Sequence, residues 1–193
     1  MKFRYAKGAT PLTQDDIHNL IPSYLNLQSQ LDEWEQFNII KAENWAFSAK
    51  RNNILTIEYI KQLHYKMFCD TWKWPGKFRT YQTNIGVESI YIAQELKILV
   101  DDVEFWLNNN TYNLRELAVR LHHRLVFIHP FPNGNGRLSR LIADIFINQY
   151  DQPIFTWGKN NLIKDSLTRD DYLKYLKQAD KGDLTNLVKF ADS

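Results

Sequence analysis

His129-Pro130-Phe131-Pro132-Asn133-Gly134-Asn135-Gly136-Arg137-Leu138-Ser139-Arg140 lies between two helical stretches, and its reading decides the fold. A residue that precedes proline is pushed out of the α region. The helix carrying Leu121–Ile128 should therefore end at or before His129, and because Phe131 also precedes a proline, the HPFP segment is expected to be extended. Asn133-Gly134-Asn135-Gly136 supplies turn formers that tolerate positive φ. A new amphipathic helix begins there, with Arg137 and Arg140 in its first turn. Cations are disfavoured at that end, where free N–H groups and the helix dipole already make the site positive. The arrangement makes sense when an anion sits there: amides bared by glycine and two guanidinium forks suit a polyphosphate. His129 would stand at the rim, suited to proton transfer near neutral pH. Each piece also has a plainer reading, as a helix-end histidine, a simple turn or solvated surface charges; the order in which they occur together favours the anion site.

Outward from this loop, helical periodicity dominates, and seven glycines in 193 residues interrupt it little. Thr13 reads as an N-cap with an acidic first turn at Asp15 and Asp16. Pro22 marks a break, and Tyr24 to about Arg51 reads as one long helix. Further helices are expected over Thr56–Asp70, Gln94–Asn109, Leu114–Ile128, Gly136–Tyr150, Asp165–Asp180 and Asp183–Phe190. The stretch from Tyr81 to Ile92 is rich in β-branched and aromatic residues around Gly86, which predicts a short β-hairpin at about 82–92. The fold class is thus mainly α, a single domain with one small hairpin.

Composition narrows the function. Hydrophobic residues make up 44% and charged residues 24% of the chain, which is the balance of a globular protein. A net charge of +2 is too small to argue for direct nucleic acid binding or an anionic membrane surface. No apolar run approaches the ~18 residues of a membrane span, and the N-terminus lacks the apolar core of a secretion signal. The single cysteine, Cys69, excludes an internal disulfide and suits a reducing cytoplasm. His122 and His123 are adjacent and so diverge on a helix, and no Cys/His spacing suggests zinc.

The segment 129–140 resembles the Fic motif, H-x-F-x-(D/E)-G-N-G-R-x-x-R, at every defined position except Asn133. Gly76-Lys77-Phe78-Arg79-Thr80 is similar to the family's lead into a target-binding flap. Ala42-Glu43-Asn44-Trp45-Ala46 and the C-terminal stretch from Tyr172 to Asp183 resemble the subgroup called mobile mystery protein B. That subgroup is associated with mobile elements and encoded beside a helix-turn-helix protein.

The resemblance implies a Fic-type helical bundle, with an N-terminal helical region over 1–55 and the domain core over 56–193. It implies a bacterial, cytoplasmic protein adenylyltransferase that moves AMP from ATP to a Ser, Thr or Tyr hydroxyl of a target protein. In this reading it is the toxin-like member of a toxin–antitoxin pair, with a helix-turn-helix partner. His129 would be the general base, Phe131 a buried anchor, and the amides of Gly134, Asn135 and Gly136 the phosphate cradle. Arg137 would bind toward the β-phosphate and Arg140 toward the γ-phosphate. Thr83, Asn84, Ile85, Gly86 and Val87 would hold the target segment by strand addition. Asn133 stands where the family has an acid that binds Mg²⁺; an amide oxygen can coordinate but brings no negative charge. The family's inhibitory helix, (S/T)-x-x-x-E-(G/N), has a partial counterpart in Ile39-Ile40-Lys41-Ala42-Glu43-Asn44, so Glu43 is the candidate inhibitor of Arg140. Two other readings stay open: a different phosphoryl or nucleotidyl transfer, and a Fic-fold module that binds nucleotide or a partner without turnover.

Overall fold

The computed structural model describes residues 14–25, 27–51, 53–158, 162 and 167–193. Its helices are α1 (Gln14–His18), α2 (Gln28–Phe47), α3 (Ile57–Phe68), α4 (Ile92–Asn108), α5 (Leu114–Ile128), α6 (Asn135–Asn148), α7 (Leu167–Ala179) and α8 (Thr185–Ala191). The expected N-cap at Thr13 and the expected helix start at Asp165 lie outside the described residues.

The local chemistry of the helix ends is legible. Thr56 accepts the Tyr59 N–H at 3.1 Å to start α3, and Asn113 accepts the Glu116 N–H at 2.9 Å to start α5. The long helix α2 begins at Gln28, later than the expected Tyr24, and stops at Phe47 instead of Arg51. Arg51 lies beyond its end and folds back, donating to the carbonyls of Trp45 at 2.8 Å and Ala46 at 2.7 Å. Those are among the last carbonyls of α2, which have no partner within the helix.

The core follows the 3.6-residue period. Leu117, Leu121, Leu125 and Ile128 form the buried stripe of α5, and Leu138, Ile142, Ile145 and Phe146 that of α6. These two stripes make the most extensive helix pair, with α4 on the other flank of α5 and α2 packed on α3. The α5–α6 pair is thus the central hairpin of the bundle, and 129–134 is its connection.

The hairpin expected at 82–92 does not form. Among the described residues the sole β-pairing is an isolated antiparallel bridge between Leu20 and Trp72. Residues 81–88 are an irregular loop, Ser89–Tyr91 form one 3₁₀ turn, and α4 follows directly at Ile92. Side chains have captured the backbone that a partner strand would need: Thr83 Oγ1 donates to the Ile85 carbonyl at 2.6 Å, and Gln82 Nε2 to that of Gly86 at 3.2 Å. Nor is there a buried face to reward alternation, since Ile85 and Ile90 are exposed. β-propensity records a fit to a half-buried sheet surface, and no sheet is present to supply one.

Leu125 sits on the central hairpin and is 1% exposed. Leu125→Ala should cost about 2–5 kcal/mol in a urea titration, whereas Phe105→Ser, at a position 61% exposed on α4, should stay within about 0.5 kcal/mol. Equal costs would contradict this placement of the core.

Candidate functional site

His129 ends α5 in the left-handed region, with φ 54° and ψ 59°, so the start of the HPFP segment is not extended as expected. Its own N–H still reaches the Leu125 carbonyl at 3.0 Å, which closes the last turn of the helix. Strain of this kind, of order 1–3 kcal/mol for a non-glycine residue, persists only where surrounding contacts enforce it. Here they come from Arg79. Its backbone N–H donates to the Pro130 carbonyl at 3.0 Å, and its Nε to that of His129 at 2.7 Å. Gly86, with φ +104°, packs against the same turn: a Cβ there would lie 2.6 Å from His129 Cβ and 2.7 Å from Arg79 Nη2. Its missing side chain is the space those two occupy.

The loop after His129 is buried and held by side chains. Phe131 is fully buried and stacks face to face on His64, with ring centroids 3.8 Å apart. Asn135 grips the Phe131 backbone at both ends, accepting its N–H at 2.9 Å and donating to its carbonyl at 2.8 Å. His64 is buried and spans the loop. Its Nδ1 accepts the Gly76 N–H at 3.0 Å, which leaves the proton on Nε2, 3.1 Å from the Asn133 carbonyl. Burial, opposed in part by that backbone bond, lowers its pKa to about 3.

Gly134 is left-handed at φ +79° and a Cβ there would meet the Phe68 ring at 2.5 Å, so the position admits only glycine. The first hydrogen bond of α6 runs from the Leu138 N–H to the Gly134 carbonyl at 2.9 Å. The amides of Asn135, Gly136 and Arg137 thus precede it, at the open positive end of the helix. The Gly134 amide differs, because Asn133 Oδ1 accepts it at 2.5 Å. The same oxygen lies 3.4 Å from Arg137 Nη2.

The two motif arginines face a cleft of about 570 Å³ between α2 and α6, lined also by Ser29, Glu43, Asp144 and Trp157. They differ in their partners. Arg137 pairs with Glu35 of α2 at 2.7 Å, while the other Glu35 oxygen accepts the Trp72 indole N–H at 2.7 Å. Arg140 lies over the Tyr172 ring of α7, 5.6 Å from its centroid. Glu43 lines the cleft but makes no ion pair with Arg140 among the described residues. The α2 acid that engages the motif is Glu35, for which the sequence offers no pattern. Burial raises the pKa of Asp144 to about 7, against the pull of its bonds to Trp157 and Phe155 and of the Arg140 charge.

His129 is 6% exposed, and burial is the main reason that its pKa falls to about 4, with the Arg79 charge adding to that fall and a backbone hydrogen bond at Val126 opposing it. The imidazole is therefore neutral at pH 7 and able to accept a proton. The other flap candidates, Thr83, Asn84, Ile85 and Val87, lie on the loop that returns to this turn, where the Val87 N–H reaches the Ile128 carbonyl at 3.4 Å. The loop and His129 thus meet at the end of α5, while the arginines of α6 face the cleft toward α2.

Residues 54–147 match the Fic/DOC family. The chain belongs to the Fic/DOC family. Among curated proteins it is 30% identical over 145 residues to Protein adenylyltransferase Fic of Aedes aegypti, covering 72% of this chain and 28% of that protein. It is 30% identical over 156 residues to Protein adenylyltransferase fic-1 of Caenorhabditis elegans, covering 76% of this chain and 28% of that one. The Fic chain thus spans little more than a quarter of these relatives' length. Its fold is shared with BepC of Bartonella tribocorum, solved with bound AMPPNP, at TM-score 0.70 and 18% identity, covering 97% of this chain and 93% of that one. C. elegans Fic-1 superposes with TM-score 0.63 at 24% identity, covering 89% of this chain and 56% of that one. No helix among the described residues of this Fic protein is long and apolar enough to cross a membrane.

His64 gives the loop a pH signature. A histidine whose folded pKa lies below its unfolded value of about 6.5 stabilises the fold fully above that value, and the contribution is lost as pH falls toward about 3. The melting temperature should decline on acidification below about pH 6.5, a decline shared with His122 and His129, whose pKa values are also lowered. His64→Gln should flatten part of it in differential scanning fluorimetry; an unchanged pH profile would contradict the buried neutral imidazole.

Proposed function

We propose that this Fic protein is a protein adenylyltransferase, transferring AMP from ATP to a Ser, Thr or Tyr hydroxyl of a target protein. The observation that carries the reading is one buried connection that begins with a neutral, left-handed His129 and leads into the open amides of α6, whose Arg137 and Arg140 face a common cleft. The curated relatives of the same name support it. In the reaction His129 accepts the proton of the target hydroxyl as its oxygen bonds to the α-phosphorus, and the bond to the β-phosphate oxygen breaks to release pyrophosphate. The amides of Asn135 and Gly136 hold phosphate oxygens, Arg137 neutralises charge toward the β-phosphate, and Arg140 toward the γ-phosphate. Such transfer depends mostly on positioning and charge neutralisation, which this set of groups supplies. The amide of Gly134 contributes by holding Asn133, and in this reading the loop 83–87 contacts the target segment.

A resident Mg²⁺ does not fit the residues present. The one oxygen at the motif's metal position, Asn133 Oδ1, is uncharged and faces two donors, the Gly134 amide and Arg137. No group of three His, Cys, Asp or Glu side chains among the described residues is arranged to hold a metal. Magnesium in this reading arrives with ATP as part of the substrate. A helix-turn-helix protein encoded beside this chain is the partner that the resemblance at 42–46 and 172–183 supports, with this chain as the toxin-like member working in the cytoplasm; failure of the two to co-purify on co-expression would remove that partner.

Incubation with ATP labelled at the α- or the γ-phosphate tests the chemistry. Label from the α-phosphate should appear on protein and fall about 10²–10⁴-fold in His129→Ala; γ-label would instead show kinase action, and neither label a binding module. Because the base is neutral down to about pH 4, kcat/KM should lose its acid limb near that value, not near the ordinary histidine midpoint. Asn133→Asp should lower the Mg²⁺ concentration giving half-maximal labelling.

A further inference from the structure

We infer that Arg79 is the positioning residue of this site: its buried guanidinium fastens the loop at 81–87 to the turn that carries His129, so that loop and base are held as one body. Arg79 is 2% exposed, and among the described residues its hydrogen-bond partners are all backbone carbonyls. On one side the guanidinium donates to the carbonyls of Ile128 and His129, at the α5 end, while the main-chain N–H takes that of Pro130. On the other, Nη1 donates to Tyr81 at 2.9 Å and Nη2 to Val87 at 2.5 Å, the two ends of the loop. A planar fork of five donors can span that arc; a lysine ammonium, whose three donors diverge from one point, cannot.

A buried cation ordinarily has a carboxylate beside it. Arg79 has carbonyl dipoles instead, so its charge is left to act on its neighbour, the imidazole of residue 129. The charged groups of the other packed elements are engaged elsewhere: Arg124 of α5 with Glu95 of α4, Arg137 of α6 with Glu35 of α2, and Arg140 with Tyr172 of α7. Gly86 supplies an independent sign that this junction is built to be tight, because any side chain there would displace either Arg79 or His129. The inference has a mechanical consequence: a target segment bound along 81–87 bears on the base through Arg79, beside the direct contacts of Gly86 and Val87 with the same turn.

Two variants separate placement from charge. Arg79→Lys keeps the cation and loses the fork, so kcat for α-label transfer should fall by about 10²-fold while KM for ATP, whose phosphates lie on α6, stays unchanged. Arg79→Gln loses the cation as well, so the His129 ring titration followed by NMR should rise by the smaller share of its fall that the Arg79 charge supplies, with burial still holding it below the ordinary value and Arg79→Lys close to the parent. A His129 midpoint that is unmoved in Arg79→Gln, or an Arg79→Lys protein with parental kcat, would overturn the inference. If Arg79→Gln does not fold, the kcat and KM of Arg79→Lys decide alone. The kinetic arm rests on the adenylyltransferase reading, but the titration does not: a parent protein without AMP transfer that still shows the shift would remove that reading and leave Arg79 in its role.

Discussion

A buried loop must satisfy its own backbone, and that constraint organises this molecule. Connections between helices ordinarily run over the surface, where water meets their polar groups. The connection between α5 and α6 is instead buried at Pro130, Phe131, Pro132 and Gly134, so its N–H and C=O groups need protein partners. The two prolines remove two donors from the problem. Asn135 serves both polar groups of Phe131, His64 the carbonyl of Asn133, and Arg79 those of Ile128, His129 and Pro130. Phe131 is the apolar counterpart of this network, stacked against the same His64 ring that donates to the loop. The surface end of α6 and the position of His129 both follow from that scaffold.

This division explains what could be read from the chain. The end of α5, the turn and the start of α6 are specified by local grammar: residues before proline, glycines at positive φ, and a 3.6-residue apolar period. Their reading needs no knowledge of the rest of the fold. Arg79, His64 and Glu35 carry no such signal, because each meets its partner only after the helices pack, across separations of 50, 69 and 102 residues. His64 lies in the middle of α3, where nothing local distinguishes it from a solvated histidine. Arg79 came closest to view, as a member of the segment leading to the flap. The left-handed geometry of His129 was equally invisible, since it is imposed by Arg79 and not by Pro130 alone.

The mistaken hairpin has a different cause. Residues 81–92 hold the composition of a strand pair, yet a hairpin needs a buried face or a neighbouring strand to be stable. This segment meets neither. It packs its Gly86 against the α5 end and spends its backbone groups on Arg79, Ile128 and its own short side chains. The result is a loop whose position is fixed at both ends while its apolar residues Ile85, Ile90 and Tyr91 face outward.

The charges of α6 complete the argument. Arg137 is compensated already, by Glu35 at 2.7 Å, and Glu35 is itself fixed by the Trp72 indole. A polyphosphate approaching Arg137 therefore competes with a buried carboxylate that cannot move freely. Arg140 faces a ring and Asp144, whose pKa burial raises to about 7. Less of its charge is cancelled, so the attraction for a terminal phosphate should be concentrated at Arg140, while Arg137 is held in a fixed pose by its acid partner. Asn133 fits the same pattern. Its amide oxygen already receives the Gly134 N–H and faces Arg137, so it serves the loop as a neutral acceptor without adding a second negative charge beside Glu35. An aspartate there would place two carboxylates around one arginine, a state that a bound cation would relieve and its absence would not. The neutral residue therefore satisfies the turn without bringing a charge of its own.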